Sequence, residues 1–101
     1  MIGGLVALKV DPNIMAKLAG QRMSMIVTGT NGKSTTTRMA ANALRTAYTV
    51  ATNDGGDNMD AGIVSALNQD LDADAICLEV DEMHVPHVMD ALSPTVLVLL
   101  N

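Results

Sequence analysis

Apolar runs of strand length recur along this chain with a helix-like stretch between each pair, and that alternation leaves few folds open. "MSMIVT" (23–28), "YTVAT" (48–52), "DAICLEV" (74–80) and "PTVLVLL" (94–100) read as strands, and "VALKV" (6–10) as a further short one. Between them, "PNIMAKLA" (12–19) reads as a short helix. Asp11 is its expected N-cap, Pro12 its first position and Gly20 its end. A longer helix is expected from Lys33 to about Thr46, another over "MDAGIVSALNQ" (59–69), and one over "VPHVMDAL" (85–92) with Pro86 near its start. Strand and helix in alternation require crossover connections, hence a parallel sheet with helices on its faces. The fold class is therefore α/β. In such sheets ligands sit at the carboxyl ends of the strands. The polar residues that stand out fall there: Gly29 to Ser34, Asn53 to Asn58, Glu79 to Glu82, and Asn101.

A chain of 101 residues suits one small domain burying roughly 60–70% of its unfolded surface. Tyr48 is its only aromatic residue, so its eight methionines are expected to fill the gaps that rings would fill. The net charge of −5 argues against a general nucleic-acid or anionic-membrane surface, so a bound polyanion must be held locally. Cys77, the single cysteine, lies in the apolar run "AICLEV" with no basic neighbour and reads as a buried core thiol. No apolar stretch approaches the roughly 18–20 residues that span a bilayer. "MIGGLVALKV" lacks a basic leader and a small-residue cleavage site, which makes the cytoplasm the expected compartment. The chain stops on a buried-looking apolar strand without a closing helix, the pattern of a fragment, so residues 1–101 are expected to form a partial domain.

"VTGTNGKSTTT" (27–37) carries the chemistry. A loop that binds phosphate needs converging backbone N–H groups, hence residues without Cβ at the tight points, and a following helix whose positive end faces the anion. Gly29 and Gly32 can supply the turns, Lys33 the point charge on the outer phosphates, and Ser34 a hydroxyl for Mg²⁺. A strand before and a helix after are the context this motif requires. The pattern departs from G-x-x-x-x-G-K-[ST] in one place: Val27 stands six residues before the lysine, where that pattern has glycine.

G-T-N-G-K-S-T-T resembles the ATP loop of the Mur ligase family, ATP-dependent ligases of peptidoglycan synthesis. Within the family, "VDPNIMAKLA", "TNDGGDNMDAGIVSAL" and "LEVDEMHVPHVMDALSPTVLVLLN" are similar to segments of the MurT subfamily, the ligase-like subunits of lipid II isoglutaminyl synthase. Together the similar segments cover most of the chain. Other branches match less well. Folylpolyglutamate synthases have an extra glycine after the loop lysine, and diaminopimelate- or lysine-adding ligases have E-x-S-S where Glu79 to Glu82 stand. Alanine-adding ligases usually have histidine at the place of Asn31.

The resemblance implies a P-loop NTPase-like sheet, the truncated central domain of such a ligase. ATP is implied at Gly29, Thr30, Asn31, Gly32, Lys33, Ser34, Thr35 and Asn101, and Mg²⁺ at Ser34 and Glu79. Lys33 and Glu79 are then the catalytic pair, with Asp81 and Glu82 as alternative metal carboxylates. His84 and His87 lie three apart, but the matching family stretch is a helix start, not a metal site. Asp54 and Asp57 add negative charge where the family has less. The implied reaction activates the D-glutamate α-carboxylate of the lipid II stem peptide as an acyl phosphate. A partner glutamine amidotransferase of the GatD type then supplies ammonia, giving D-isoglutamine. The fragment alone is expected to be inactive. The competing expectations are another Mur-family ligase, or a nucleotide-binding module without turnover.

Overall fold

The computed structural model describes residues 13–20, 22–53, 60–69 and 71–100. The expected strand at 6–10, the Asp11 cap with Pro12, the glycine loop over Asp54 to Asn58, and Asn101 lie outside those residues. Helix α1 covers Ile14–Ala19, strand β1 Met23–Gly29, helix α2 Lys33–Leu44, strand β2 Val50–Thr52 and helix α3 Asp60–Gln69. Strand β3 covers Ala75–Glu79, a 3₁₀ turn Glu82–His84, helix α4 Val85–Leu92 and strand β4 Val96–Leu100.

Local chemistry sets most of the boundaries. Gly20 ends α1 at a φ of 60°, and the Arg22 guanidinium donates to the carbonyls of Leu18, Ala19 and Ala73, tying the helix end to the entrance of β3. Asn13 occupies the cap position of α1, with no capping hydrogen bond from its side chain. Helix α2 stops at Leu44, short of the expected Thr46, because its last carbonyls are taken up in a turn. Tyr48 and Arg45 donate there to Leu44 and Ala41. That turn also shortens β2, since Tyr48 and Thr49 lie ahead of the paired residues. Pro86 opens α4, where a missing N–H costs nothing, and Ser93 closes it in the left-handed region.

The strands form one parallel sheet in the order β2-β3-β1-β4. Side chains alternate across it. Ile26, Ala51, Ile76 and Leu78 join α1, α3 and α4 in the larger core, with Ile63, Val64, Leu67, Val88 and Leu92. Val50, Ala75 and Cys77 face the other way and pack with Met23, Met25 and Leu44 around Ala41 of α2. Cys77 is fully buried as expected, its Sγ 3.7 Å from the Thr37 carbonyl. Methionine fills gaps at positions 15, 23, 25 and 89, but Met39 and Met83 are exposed.

One expectation fails outright. The run "VLVLL" is not buried: β4 lies at the sheet edge with Val96, Leu97 and Leu99 exposed. Among the described residues only β1 pairs with it, and apolar composition cannot bury a strand without something to lie against it.

Candidate functional site

The connection leaving β1 runs through α2 on one face to β2. The connection leaving β3 runs through α4 on the other face to β4. Adjacent strands whose connections depart in opposite directions leave a crevice at their carboxyl ends, where open α/β sheets bind ligands. Here it lies between the ends of β1 and β3. Thr30, Asn31, Gly32, Lys33, Ser34, Thr35 and Glu79 line an open depression of about 270 Å³ at this point.

Two glycines shape the turn for different reasons. Gly32 sits just before α2 in the left-handed region, φ 82°, which L-residues with a Cβ seldom adopt. Gly29 has φ 133°, and a Cβ there would stand 2.0 Å from the Leu100 carbonyl oxygen across the β1–β4 ladder. Its role is close backbone approach as much as turning. This use of Leu100 was not legible from residue types, because a backbone contact leaves no side-chain signature.

The first N–H groups of an α-helix have no partner within the helix. Thr36 donates to the Gly32 carbonyl, the first such bond of α2. No side chain caps Gly32, and the first turn carries no acidic residue. Among the described residues, the start of α2 thus presents uncapped donors and a favourable potential for an anion, with Lys33 beside it. The Lys33 ammonium lies 3.9 Å from a carboxylate oxygen of Asp81 and 3.9 Å from one of Glu82. Both contacts are at the outer limit for an ion pair, and the Asp81 and Glu82 side chains are 36% and 56% exposed against 14% for Lys33, so with solvent screening the attraction is worth about 1 kcal/mol.

Glu79 ends β3, pointing to the α2 face, and is only 4% exposed. The Ser34 hydroxyl lies 2.9 Å and 3.1 Å from its two carboxylate oxygens. A hydroxyl and a carboxylate converging beside a helix start form an oxygen-only donor set, the kind a hard cation prefers. Asp81 caps the 3₁₀ turn by accepting from the Met83 N–H, and its other carboxylate oxygen and Glu82 both face Lys33. His84 and His87 stack edge to face, with ring centres 5.4 Å apart.

Asn53 was noticed in the sequence only as part of a polar cluster. The structure places its amide on the backbone of Glu79, through two hydrogen bonds of 2.8 Å each. An asparagine directly after an apolar run was the available signal, and its partner could not be read without the β2–β3 register. Of the residues proposed for the site, the structure gathers those from Thr30 to Thr35 with Glu79, sets Gly29 beneath them, and does not describe Asn101.

The fold is an α/β domain whose candidate site lies at the carboxyl edge of a parallel sheet. The chain belongs to the Mur ligase family, the Mur ligase middle domain matching residues 27–101. It is 35% identical over 103 aligned positions to the MurT subunit of lipid II isoglutaminyl synthase (glutamine-hydrolyzing) from Streptococcus pneumoniae strain ATCC BAA-255 / R6. That alignment covers 97% of this chain and 23% of the pneumococcal protein, so the chain spans about a quarter of its relative's length.

Proposed function

We propose that this chain is the ATP-binding part of a MurT-like Mur ligase that amidates the D-glutamate α-carboxylate of lipid II to D-isoglutamine. The observation that carries the reading is the meeting of Ser34 and Glu79 beside the uncapped start of α2 and Lys33. The family and the pneumococcal relative support the substrate class, and with it a partner amidotransferase of the GatD type. On this reading residues 1–101 are part of the middle domain of a longer cytoplasmic ligase.

The α-carboxylate oxygen attacks the γ-phosphorus of ATP, and ADP leaves. Ammonia then attacks the acyl carbon of the resulting acyl phosphate, inorganic phosphate leaves, and one proton is lost as the amide forms. The N–H groups at the start of α2 hold the phosphate oxygens, and Lys33 moves from Asp81 and Glu82 to the transferred group. Its present contacts are weak enough to exchange. Ser34 and Glu79 would hold Mg²⁺, which would supply charge neutralisation at the phosphate oxygens. Catalysis of this kind is mainly positioning and charge neutralisation.

Calorimetric titration with ATP tests the assignment. Lys33→Ala should weaken Mg·ATP binding by at least about 2 kcal/mol, the scale of a charge-assisted contact left uncompensated. Glu79→Gln should leave the fold intact and reduce the gain in affinity that Mg²⁺ confers. Equal affinity in Lys33→Ala and the parent would remove the phosphate reading. If Asp81→Asn lost the Mg²⁺ effect and Glu79→Gln kept it, the metal would belong to the other carboxylate.

A further inference from the structure

We infer that Asn53 is the positioning residue of the site, setting the Glu79 carboxylate through that residue's backbone. This rests on the reading of Glu79 as the metal's carboxylate and adds to it a residue with no contact to metal or nucleotide.

The β2–β3 ladder is short. Its last paired residues are Thr52 and Cys77, two positions before Glu79. In a parallel ladder the N–H and C=O of one residue face the same neighbour, and those of the next residue face the other side. Val80 donates to the Val27 carbonyl on the β1 side at 2.9 Å, so both backbone groups of Glu79 face β2. They are buried there, beyond the last paired residue of β2, and unpaired buried groups are destabilising. The Asn53 amide stands in for the absent strand. Its Nδ2 donates to the Glu79 carbonyl and its Oδ1 accepts from the Glu79 N–H, both at 2.8 Å. A carboxamide carries its donor and its acceptor on two adjacent atoms, matching the Glu79 C=O and N–H; aspartate would present two acceptors, one facing a carbonyl oxygen. The amide orientation follows from its partners, since the reverse would oppose like groups.

The consequence reaches the carboxylate. With the Val80 N–H held by β1 and both backbone groups of Glu79 held by Asn53, the strand end is restrained from twisting about its axis. Its side chain stays on the α2 face, 2.9–3.1 Å from the Ser34 hydroxyl. Both Asn53 and Glu79 are less than a tenth exposed. Groups that orient a metal ligand commonly contribute 10–100-fold to metal affinity. Asn53 does so from behind the ligand, by backbone rather than side-chain contact.

A double-mutant cycle separates this role from plain stabilisation. ATP is titrated with Mg²⁺ and with EDTA, and the ratio of the two dissociation constants gives the Mg²⁺ enhancement. Asn53→Ala should lower the enhancement about tenfold or more while leaving metal-free ATP binding unchanged. In a Glu79→Gln background it should have no further effect, because the carboxylate it orients is gone. Asn53→Ser, shorter and neutral, provides the same comparison if the alanine variant does not fold. The inference is overturned if the folded variant keeps the parent's enhancement, or loses affinity equally with and without Mg²⁺. It is also overturned if the two substitutions add. A parent chain with no Mg²⁺ enhancement at all would take down the metal reading and this one together. Failure confined to the Asn53 variants removes only this one.

Discussion

Strands β3 and β4 flank β1 on opposite sides, run parallel to it, and look alike as sequences: "AICLE" and "VLVLL". Every residue of β3 is buried, whereas Leu99 in β4 is 72% exposed and Val96 43%. The difference lies in neighbours. β3 has a strand on each side and helices on both faces, so its apolar residues divide between the two cores. β4 has β1 alone beside it among the described residues. The more apolar strand is thus the less buried, and the strand that carries a carboxylate is the one placed where that carboxylate can be held. Enclosure allows Glu79 to be both shielded and oriented, whereas an edge strand offers its side chains to water.

Three substitutions would break or sharpen this contrast. Leu78→Ala, in the middle of the sheet, should destabilise the most, by about 2–5 kcal/mol, because it leaves a cavity that two layers cannot readily close. Gly29→Ala tests the seam between β1 and β4. A methyl group driven against the Leu100 carbonyl, at a φ disfavoured for alanine, should cost about 1–3 kcal/mol and weaken ATP binding by displacing the loop. Leu99→Thr should change stability by no more than about 0.5 kcal/mol, as expected for an exposed position. Urea denaturation measures all three. A loss at Leu99 comparable to that at Leu78 would mean that β4 is covered in solution and the contrast is false.

The near-absence of aromatic residues bears on the same comparison. With no ring to span the space between sheet and helix, α2 packs through Ala41, Ala40 and Leu44 against Ala75, Cys77 and two methionines. On the same face Ser34, in the first turn of α2, reaches Glu79 at the strand end.

Much was legible in the residues because the determinants were local. Alternating apolar and helical segments implied a parallel sheet, and all four described strands and the four helices lie where their patterns put them, apart from their ends. The ends moved where a turn captured the carbonyls, as at Leu44. The glycine turn, Lys33 and Ser34 could be recognised as one unit because they are consecutive. The carboxyl edge shared by parallel strands put Glu79, Asp81 and Glu82 near them, and the family resemblance singled out Glu79.

What the sequence determined by itself was therefore the class of fold, the glycine turn, and the edge of the sheet on which a ligand would sit. Periodicity and turn chemistry operate over a few residues. Tertiary structure alone decided which apolar strand would be central, that Gly29 makes room for the Leu100 carbonyl, and that Asn53 holds the backbone of Glu79. Those depend on strand order and register, which join residues as far apart as Asn53 and Glu79, or Gly29 and Leu100. No local pattern encodes a hydrogen bond or a contact to a backbone that the fold brings alongside.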